Sequence, residues 1–557
     1  MRAGVRALAR LARPEPTAAE RLESLEDAST VTALRPLLLR LGERPEPAVA
    51  VVADVIDPPI ARALLEVWPQ ARLTVLDAAV GESDLHVALA AAGSFDAIFD
   101  LADERGGRSR EILFHLRRGG VLVVMDARAE AGRAAEVAGT AVRSGLLPDD
   151  VPTPDDLHLA RAVDSVAVRG DHLILTANPR GRPYLAKLRE EEVDAYLEAT
   201  LGRVGRVLGS RPGSVVVNPA PVVVSQADTP MVYRTTFEAP PLRLREYHRV
   251  ECLTGQVLCT DNVVLPDSFR HNYRPRLANR STVPVAPRFA QTKGPQPEDR
   301  DGTWFYLDSE FRGHFGHAMT EQVSRLWAWQ EAKAAHPDVQ ALMLTGARTT
   351  IAEWEYRLYE AAGVPREDLV LLDRPVRPER LLAATPAFSQ PGYIHEAARE
   401  VYDRVGDHLA VDAPARDYAD RIFCSRRHEK RSATNPAEVE DFFARRGFEI
   451  VYPEDHPLGE QVQMFRSATE VAGFAGSAMF SMAFVREPKR VTLVSAETYT
   501  AQNEGLFAAM RGHQLNVARC RATRLRPDGT LIAKRLQARF TFDDAREGEF
   551  LRRILGE

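Results

Sequence analysis

The chain has 557 residues, which is too long for one hydrophobic core and predicts about three or four domains. Hydrophobic residues make up 45% of it and charged residues 27%, as in an ordinary soluble globular protein, and no run of about 18 apolar residues predicts a membrane span. A formal net charge of -6 excludes the basic footprint of a nucleic-acid-binding protein.

The cysteines and the first residues bear on localisation. Four cysteines without a CxxC pair favour reduced thiols over a disulfide framework. Residues 1–45 begin Arg-rich and contain no long apolar stretch of a secretory signal, so we interpret them as a helical surface segment. We therefore expect a cytoplasmic protein, with peripheral attachment at the inner face of a membrane left open.

Residues 46–165 show an α/β rhythm. The apolar run "AVAVVADV" is followed by a helical stretch, "RLTVLDA", "FDAIFDLAD" and "VLVVMDA", with acids at strand ends. This order predicts a doubly wound Rossmann-like domain. It resembles the class I S-adenosylmethionine methyltransferases, in which Asp77 would take the position that holds the cofactor ribose.

The turn after the first strand departs from that resemblance. It reads "VVADVIDPPIAR", with Asp54, Asp57, Pro58 and Pro59 where those enzymes bring a glycine-rich backbone close to the cofactor. We interpret residues 46–165 as a degenerate domain kept for packing or partner contact.

The rest of the chain divides into a β-rich stretch and two α/β halves. Residues 166–300 alternate short strands with turns, as in "DSVAVRGDHLILTA", "GSVVVNPAPVVVSQ" and "LTGQVLCTDNVVLPDS". Strand and helix patterns then alternate twice, over 301–415 and 416–557, and the second half closes with the hairpin pattern "RATRLRPDGTLIAKR" and a charged helix. Two successive α/β halves predict a two-lobed enzyme with its ligand at the carboxyl ends of the strands.

One helical pattern carries an unusual set of polar residues. In "FRGHFGHAMTEQVSRLWAW", His317, Glu321 and Arg325 fall at i, i+4 and i+8 and form a stripe opposite the apolar residues. We expect this stripe to face away from the core of its own domain, toward solvent or a cleft. A metal site is not favoured, because His314 and His317 are only three residues apart and no third ligand is evident.

This helix, together with "SRRHEKRSATNPAEVEDFFARRGFEIVYPEDHPLGEQVQMFRSATEVAGFAGSAMF", resembles glycosyltransferase family 61 over roughly residues 215–515. The resemblance implies a GT-B-like, two-lobed fold and an inverting, metal-independent transfer from a nucleotide-sugar to a glycan, as in surface or capsular polysaccharide synthesis. It places the acceptor side in 301–415 and the nucleotide-sugar side in 416–557, with no cofactor.

The site residues combine this resemblance with chemistry. His317, and after it Glu321, are the candidate bases, because an acceptor hydroxyl must lose its proton. Arginine forks suit a leaving diphosphate, glycines permit close backbone approach, and a carboxylate accepts ribose hydroxyls. The candidate substrate-binding residues are Arg325, Ser425, Arg426, Arg427, Arg431, Glu460, Gln461, Gly473, Gly476 and Ser477.

Two departures from the family pattern leave other interpretations open. Ala475 stands where the family has a histidine, and Asn435-Pro436 stands where an Asn-Glu pair is expected, with Glu438 displaced. The alternatives are a catalytically inactive glycan-binding or scaffold protein, and a bifunctional enzyme that also methylates its sugar with S-adenosylmethionine.

Overall fold

The structure is a computed structural model that describes residues 39, 44–54, 59–101, 112–125, 162–169, 172–179, 185–228, 231–260, 262–273, 277, 279, 296–346, 348–428, 431–523 and 538–557. The chain forms two compact units. The first takes described residues within Met1–Leu201, Cys259–Leu265 and Thr282–Gly294, and the second takes those within Gly202–Leu258, Pro266–Ser281 and Pro295–Glu557. Three predicted features lie wholly or mostly outside the described residues: the amino-terminal helix, residues 55–58 of the turn after the first strand, and the Pro-Asp-Gly hairpin.

The elements are named here in chain order. The strands are β1 (Ala48–Ala53), β2 (Arg72–Asp77), β3 (Phe95–Asp100), β4 (Leu116–Val124), β5 (Val163–Arg169), β6 (His172–Ala177), β7 (Ala186–Lys187), β8 (Gly205–Arg211), β9 (Ser214–Val217), β10 (Val222–Val224), β11 (Thr236–Ala239), β12 (Leu242–His248), β13 (Glu251–Leu253), β14 (Val257–Cys259), β15 (Val263–Val264), β16 (Glu298–Tyr306), β17 (Gln340–Leu344), β18 (Leu369–Leu372), β19 (Val376–Ala384), β20 (Phe388–Ser389), β21 (Tyr393–Ile394), β22 (Arg421–Cys424), β23 (Glu449–Val451), β24 (Glu470–Phe474), β25 (Arg490–Ala496), β26 (Gln514–Ala522) and β27 (Phe540–Thr541). The α-helices are α1 (Pro59–Val67), α2 (Glu82–Ala92), α3 (Val193–Ala199), α4 (Trp329–Ala335), α5 (Glu353–Ala361), α6 (Ala398–Val411), α7 (Pro436–Ala444), α8 (Leu458–Ser467), α9 (Asn503–Arg511) and α10 (Glu549–Leu555).

The first unit contains the predicted Rossmann-like sheet, in the order β2-β1-β3-β4-β6-β5. Strands β1 to β4 are parallel, and β6 runs antiparallel to β4 and β5. Leu64 of α1 and Leu89 of α2 belong to two separate apolar clusters that share the strands of this sheet. Because successive residues of a strand point to opposite faces, α1 and α2 cover opposite faces, which confirms the doubly wound prediction.

The predicted boundary at residue 165 is wrong. It cuts through β5, and the hairpin of β5 and β6 belongs to the front sheet because β6 pairs with β4 along Leu173–Thr176. The hairpin itself was predicted correctly. The hairpin pairs with β4, which ends about 40 residues before the hairpin begins. Local sequence patterns do not indicate such long-range pairs.

The second unit is built on two sheets. In one, β16 lies parallel between β17 and β19, β17 continues to β18, and β19 pairs antiparallel with β12, which pairs with β8. In the other sheet, the strands in the order β10-β26-β25-β24-β22-β23 are parallel, and β27 pairs antiparallel with β26. The two alternating α/β patterns read from the sequence are confirmed, and the fold class is α/β with a Rossmann-like domain in front.

One edge of the second sheet does not come from the carboxyl-terminal half. Strand β10 lies parallel to β26, with Val222 opposite Leu515. The predicted lobe of residues 416–557 is therefore completed by a strand from the predicted connecting region. A single apolar cluster joins the two sheets and includes Leu326, Leu382 and Phe480.

Candidate active site

The candidate site lies in the second unit, beyond the ends of one strand of the first sheet and three strands of the second. Strands β16, β22, β24 and β25 end at Tyr306, Cys424, Phe474 and Ala496. In open α/β sheets, ligands bind beyond the carboxyl ends of the strands. The candidate residues of both sheets follow these ends in the sequence.

Residues 315–328 form the predicted helix, but it is irregular. An α-helical turn at Phe315–His317 passes into a π-helical stretch at Ala318–Gln322 and then a 3₁₀ stretch at Val323–Ala328. Single π-turns inside helices frequently occur at functional sites. The regular 100° spacing assumed for the polar stripe therefore does not apply along its length.

The structure brings His317 and Glu321 into direct contact. His317 Nδ1 lies 2.6 Å from Glu321 Oε1, and Arg270 Nε donates to the same oxygen at 2.5 Å. The other carboxylate oxygen accepts a hydrogen bond from Ser309 Oγ at 3.0 Å. The His317 side chain is 28% exposed and that of Glu321 only 10%. Glu321 is thus a buried anchor, and His317 is the member of the pair that reaches the surface.

The surroundings of Glu321 keep its carboxyl ionised. Burial by itself would raise the pKa of this group, but the charge of Arg270 and the hydrogen bond from His317 outweigh burial and lower the pKa to about 2. An ionised carboxylate on Nδ1 favours the imidazole tautomer that carries its proton there. In that tautomer Nε2 of His317 is the basic atom.

The ring of His317 is also held from the side. The ring of Phe311 stacks on it with centroids 4.5 Å apart and planes 18° apart. The guanidinium of Arg270 lies 5.0 Å from the Phe311 ring centroid. Arg270 therefore supports His317 twice, through Glu321 and through Phe311.

The prediction that the polar stripe faces away from the core is wrong for two of its three members. Arg325 is buried, and its Nη1 donates to Asp267 Oδ1 at 2.9 Å and to the carbonyl oxygen of Ala384 at 2.7 Å. Glu321 is buried as described above. Only His317 is partly exposed, because the stripe meets residues of the segment around 267–270, whose contacts the sequence does not reveal.

Gly316 connects this helix to the turn that follows β24. A Cβ atom placed on Gly316 would lie 3.0 Å from Ser477 Cβ and 3.3 Å from Phe480 Cε2. Glycine therefore permits a close approach that most side chains would obstruct. His317 and Ser477 consequently belong to neighbouring segments, one from each half of the second unit.

The three candidates at the end of β24 and after it have different positions. Gly473 is buried in the strand, and a Cβ there would lie 2.6 Å from Met479 Sδ and 2.7 Å from the Cys424 carbonyl oxygen, so glycine is required by packing. Gly476 has φ of 140° and precedes the 3₁₀ helix Ser477–Phe484. Ser477 is exposed and is the first residue of that helix. Gly476, not Ser477, occupies the cap position of that helix, and no side chain caps it.

Arg426 is buried against the same turn. Its Nη2 donates to the carbonyl oxygens of Phe474 at 2.6 Å and Ala475 at 2.8 Å. Burial lowers the pKa of this guanidinium to about 10, so it remains charged at neutral pH. Arg426 thus holds the backbone of the turn.

Ser425 and Arg427 flank Arg426 and have other partners. Ser425 is buried, and its Oγ donates to Glu440 Oε1 at 2.5 Å. Arg427 is exposed, pairs with Asp455 at 2.5 Å, and lies 4.0 Å from the Tyr452 ring centroid. Ser425 thus links the end of β22 to α7, and Arg427 links it to the segment after β23.

Arg431 is the fourth candidate of this group. Its backbone lies in the left-handed region with φ of 59°, and its guanidinium carbon lies 5.6 Å from the Tyr499 ring centroid. Its Nε is buried and has no hydrogen-bond partner among the residues that the structure describes. A buried donor without an acceptor is costly, and a ligand oxygen would satisfy it.

Glu460 and Gln461 lie in the first turn of α8 and have protein partners. Glu460 accepts from Arg416 at 2.7 Å and lies 3.0 Å from His456 Nδ1. Gln461 Nε2 donates to the carbonyl oxygens of Pro453 at 2.8 Å and His456 at 2.9 Å. Both residues therefore fix the short turn after β23.

A family model described as Glycosyltransferase 61 matches residues 315–492. This part of the chain is a glycosyltransferase family 61 domain. The match includes the helix of His317 and the turn of Gly476 and Ser477, which the fold brings together.

Solved structures with similar regions were also found. The methyltransferase MycE from the mycinamycin biosynthetic pathway, in complex with Mg and SAH, is 14% identical; the alignment covers 30% of this chain and 49% of that chain, with a TM-score of 0.24. The iron-containing dodecameric glycosyltransferase TibC from enterotoxigenic E. coli H10407 is 15% identical, over 36% of this chain and 60% of that chain, with a TM-score of 0.21. The chain spans about half the length of the MycE chain that it matches. No curated protein sequence matches the chain.

Two residues near the family 61 site were missed by the sequence analysis. Arg270 lies before the matched segment and Glu504 after it. Glu504 is buried, and its Oε1 accepts the backbone N–H of Gly476 at 2.6 Å. No motif marks either residue, since each acts through a contact with a segment distant in the sequence.

The departures from the family 61 pattern have local explanations. Asn435 Oδ1 accepts the N–H of Phe542 at 3.0 Å, and Pro436 begins α7, where its missing N–H costs nothing. Glu438 contacts Asn435 Nδ2 at 2.8 Å. Ala475 is buried, and its carbonyl accepts from Arg426.

The first unit places Asp77 at the end of β2, as predicted. The side chain is exposed at this strand end, and its Oδ1 accepts the N–H of Ala79 at 2.8 Å.

Within the described ranges, no group of three or more His, Cys, Asp or Glu side chains is arranged to hold a metal ion.

Among the helices that the structure describes, none combines the length and the apolar character needed to span a bilayer.

Proposed function

We propose that this protein transfers a sugar from a nucleotide-sugar to a glycan acceptor, with inversion at the anomeric carbon and without a metal ion. The observation that carries the proposal is the contact of Gly316 with Ser477, which sets the His317–Glu321–Arg270 chain beside the Gly476–Ser477 turn. A base and an anion-binding turn are the two parts that such a transfer requires.

In this proposal His317 is the catalytic base. Nε2 takes the proton of an acceptor hydroxyl while the hydroxyl oxygen bonds to the anomeric carbon of the donor. The bond from that carbon to the diphosphate oxygen breaks, and the electron pair leaves with the diphosphate. Glu321 acts through His317: it holds the Nδ1 proton and stabilises the imidazolium that forms. With both of its oxygens hydrogen-bonded and its pKa near 2, Glu321 is not the base.

The diphosphate would bind between Arg431 and the start of the 3₁₀ helix. The first hydrogen bond of that helix runs from Met479 N to the Gly476 carbonyl, so the N–H groups of Ser477 and Ala478 precede it. Such N–H groups attract phosphate, and the exposed Ser477 hydroxyl adds a donor. Arg431 supplies the positive charge that balances the leaving group.

The remaining candidates have supporting roles in this proposal. Ser425, Arg426, Arg427, Glu460 and Gln461 shape the backbone around the nucleotide and do not bind it through free side chains, because each has a protein partner. Surface or capsular polysaccharide synthesis on the cytoplasmic side of a membrane is the setting that we propose.

The test is a panel of UDP-, GDP-, CDP-, ADP- and dTDP-sugars, with S-adenosylmethionine as a separate arm, added to the purified full chain. A ligand that binds only the folded state raises the Tm by mass action. We expect one nucleotide class to raise the Tm and to release nucleoside diphosphate in the presence of acceptor glycan. A shift with S-adenosylmethionine alone would overturn the proposal.

A further inference from the structure

A buried carboxylate lies directly behind the turn at Gly476. Glu504 is 1% exposed and is in the first turn of α9, outside the segment that matches the family model. Its Oε1 accepts the Gly476 N–H at 2.6 Å, and the Tyr499 hydroxyl lies 3.1 Å and 3.2 Å from its two oxygens. Burying a carboxylate is costly, and these hydrogen bonds offset only part of that cost.

Glu504 and Arg426 both hold the peptide group between Ala475 and Gly476, one through its N–H and the other through its carbonyl oxygen. Arg426 donates to the carbonyls of Phe474 and Ala475, and Glu504 accepts the N–H of Gly476, the next residue. The backbone of the turn is therefore held from both sides by two buried, oppositely charged side chains. Because the Gly476 N–H is already used, the N–H groups that follow it remain for a ligand.

Glu504 also provides a negative charge for Arg431. Burial raises the pKa of Glu504, and the hydrogen bonds from Gly476 and Tyr499 and the charge of Arg431 oppose that rise. Arg426 also acts on Glu504 and Arg431, and Tyr233 acts on Glu504 and Tyr499. Tyr499 connects Glu504 and Arg431: its ring contacts the Arg431 guanidinium, and its hydroxyl donates a hydrogen bond to Glu504.

We propose that Glu504 is a positioning residue for the donor diphosphate, because it fixes the Gly476–Ser477 turn and orients Arg431 through Tyr499. This inference rests on the proposed function, since it assigns the diphosphate to that turn. It adds a residue that does not touch the substrate and that lies outside the segment matched by the family model. Its effect is therefore expected on donor binding and not on the chemical step.

The experiment measures the Kd of inorganic pyrophosphate and of UDP, GDP, CDP, ADP and dTDP by titration calorimetry on the full chain. We expect Glu504→Ala to raise the Kd of the preferred diphosphate about tenfold, equivalent to about 1.4 kcal/mol. Glu504→Gln keeps an oxygen that accepts the Gly476 N–H, so its Kd should stay within about threefold of the wild type.

Glu547→Ala is the matched control. Glu547 is also 1% exposed and also accepts a backbone N–H, that of Asp543 at 2.9 Å, but it lies just before α10 and contacts none of the candidate site residues. Its removal should lower the Tm and leave the Kd unchanged. Should Glu504→Ala prove too unstable to titrate, Tyr499→Phe keeps the ring that contacts Arg431 but removes its hydrogen bond to Glu504, and it should still weaken binding about threefold.

The outcomes separate the two proposals. A wild-type chain that binds none of these diphosphates overturns the proposed donor site and the role of Glu504 together. A wild-type chain that binds one of them, beside a Glu504→Ala variant or a Tyr499→Phe variant that binds it equally well, overturns the positioning role alone.

Discussion

The Nδ1 atom of His317 lies 2.6 Å from Oε1 of Glu321, one helical turn further along the same segment. This relationship leaves Nε2 as the basic atom of the ring. We predict that His317→Ala lowers the transfer rate by about 10² to 10⁴, the usual contribution of a general base. Nucleotide binding, measured by calorimetry, should be unchanged.

His314→Ala is the control for that prediction. His314 is an exposed histidine three residues before His317, and its ring lies 5.9 Å from the His317 ring. Its replacement should retain most of the activity. Equal rates for His317→Ala and the wild type would remove His317 from the mechanism.

The ion pair of Arg270 with Glu321 predicts an effect on stability that depends on pH. The folded-state pKa of Glu321, about 2, is below its ordinary value of 4.5, so its contribution is present above pH 4.5 and is lost as the pH falls toward 2. We predict that Arg270→Met costs about 1 to 3 kcal/mol at pH 7 and less at pH 3.5. Urea unfolding at the two pH values measures both differences.

Arg366→Met provides the comparison for Arg270→Met. Arg366 pairs with Glu353 on the surface, where both side chains are largely exposed. Such exposed pairs are screened by solvent and contribute little to stability, so this variant should unfold nearly as the wild type does at both pH values. A loss for Arg270→Met that is the same at pH 7 and pH 3.5 would show that packing, and not the charge of Glu321, explains it.

The sequence predicted the strands well because their order follows from local patterns. Apolar runs such as "VQALMLTG" and "RVTLVSAE" form β17 and β25, within the alternating strand and helix patterns predicted over 301–415 and 416–557. The sequence also placed His317, Glu321 and Arg325 correctly on one helical segment. These features depend on neighbours within a few positions in the chain.

The environment of the site was not predictable in the same way. Arg325 reads as an exposed helical arginine, but it is buried because Asp267, 58 residues earlier, pairs with it. The contact of Glu504 with Gly476 spans 28 residues, and nothing near Glu504 indicates it. Periodicity assigns a residue to a face of its helix, whereas the partner of that face is set by tertiary packing.

The burial of Arg325 predicts that it contributes to stability and not to donor binding. Its side chain and that of Asp267 are 3% and 4% exposed. Removing one partner of a buried pair leaves the other charge unpaired, so we expect Arg325→Met to cost about 3 to 5 kcal/mol. The double variant with Asp267→Asn should cost less than the sum of the single variants. A stable Arg325→Met variant with a raised KM for the donor would instead support substrate binding.

The position of Gly473 predicts a packing defect upon substitution. A Cβ atom there would lie within 2.8 Å of Met479 Sδ and of two Cys424 atoms. We expect Gly473→Ala to lower stability by about 1 to 3 kcal/mol, measured by thermal unfolding. Gly346→Ala is the matched change, because a Cβ at Gly346 meets no atom of the described residues within 4 Å. Similar Tm values for the two variants would contradict the close packing of β24 against β22.

Arg431 and Arg427 give the sharpest comparison within the donor site. Both follow β22, but Arg427 is exposed and paired with Asp455, whereas Arg431 has a buried Nε without a partner in the described part of the chain. We predict that Arg431→Ala raises the donor KM about tenfold or more, as expected for the loss of a charge-assisted hydrogen bond. Arg427→Ala should change the KM by less than about threefold, because an exposed ion pair contributes little. Steady-state kinetics at a fixed, saturating acceptor concentration measures both values. The reverse order of effects would assign the diphosphate to the segment around Arg427 and Tyr452, and it would move the donor site away from the turn that Gly316 contacts.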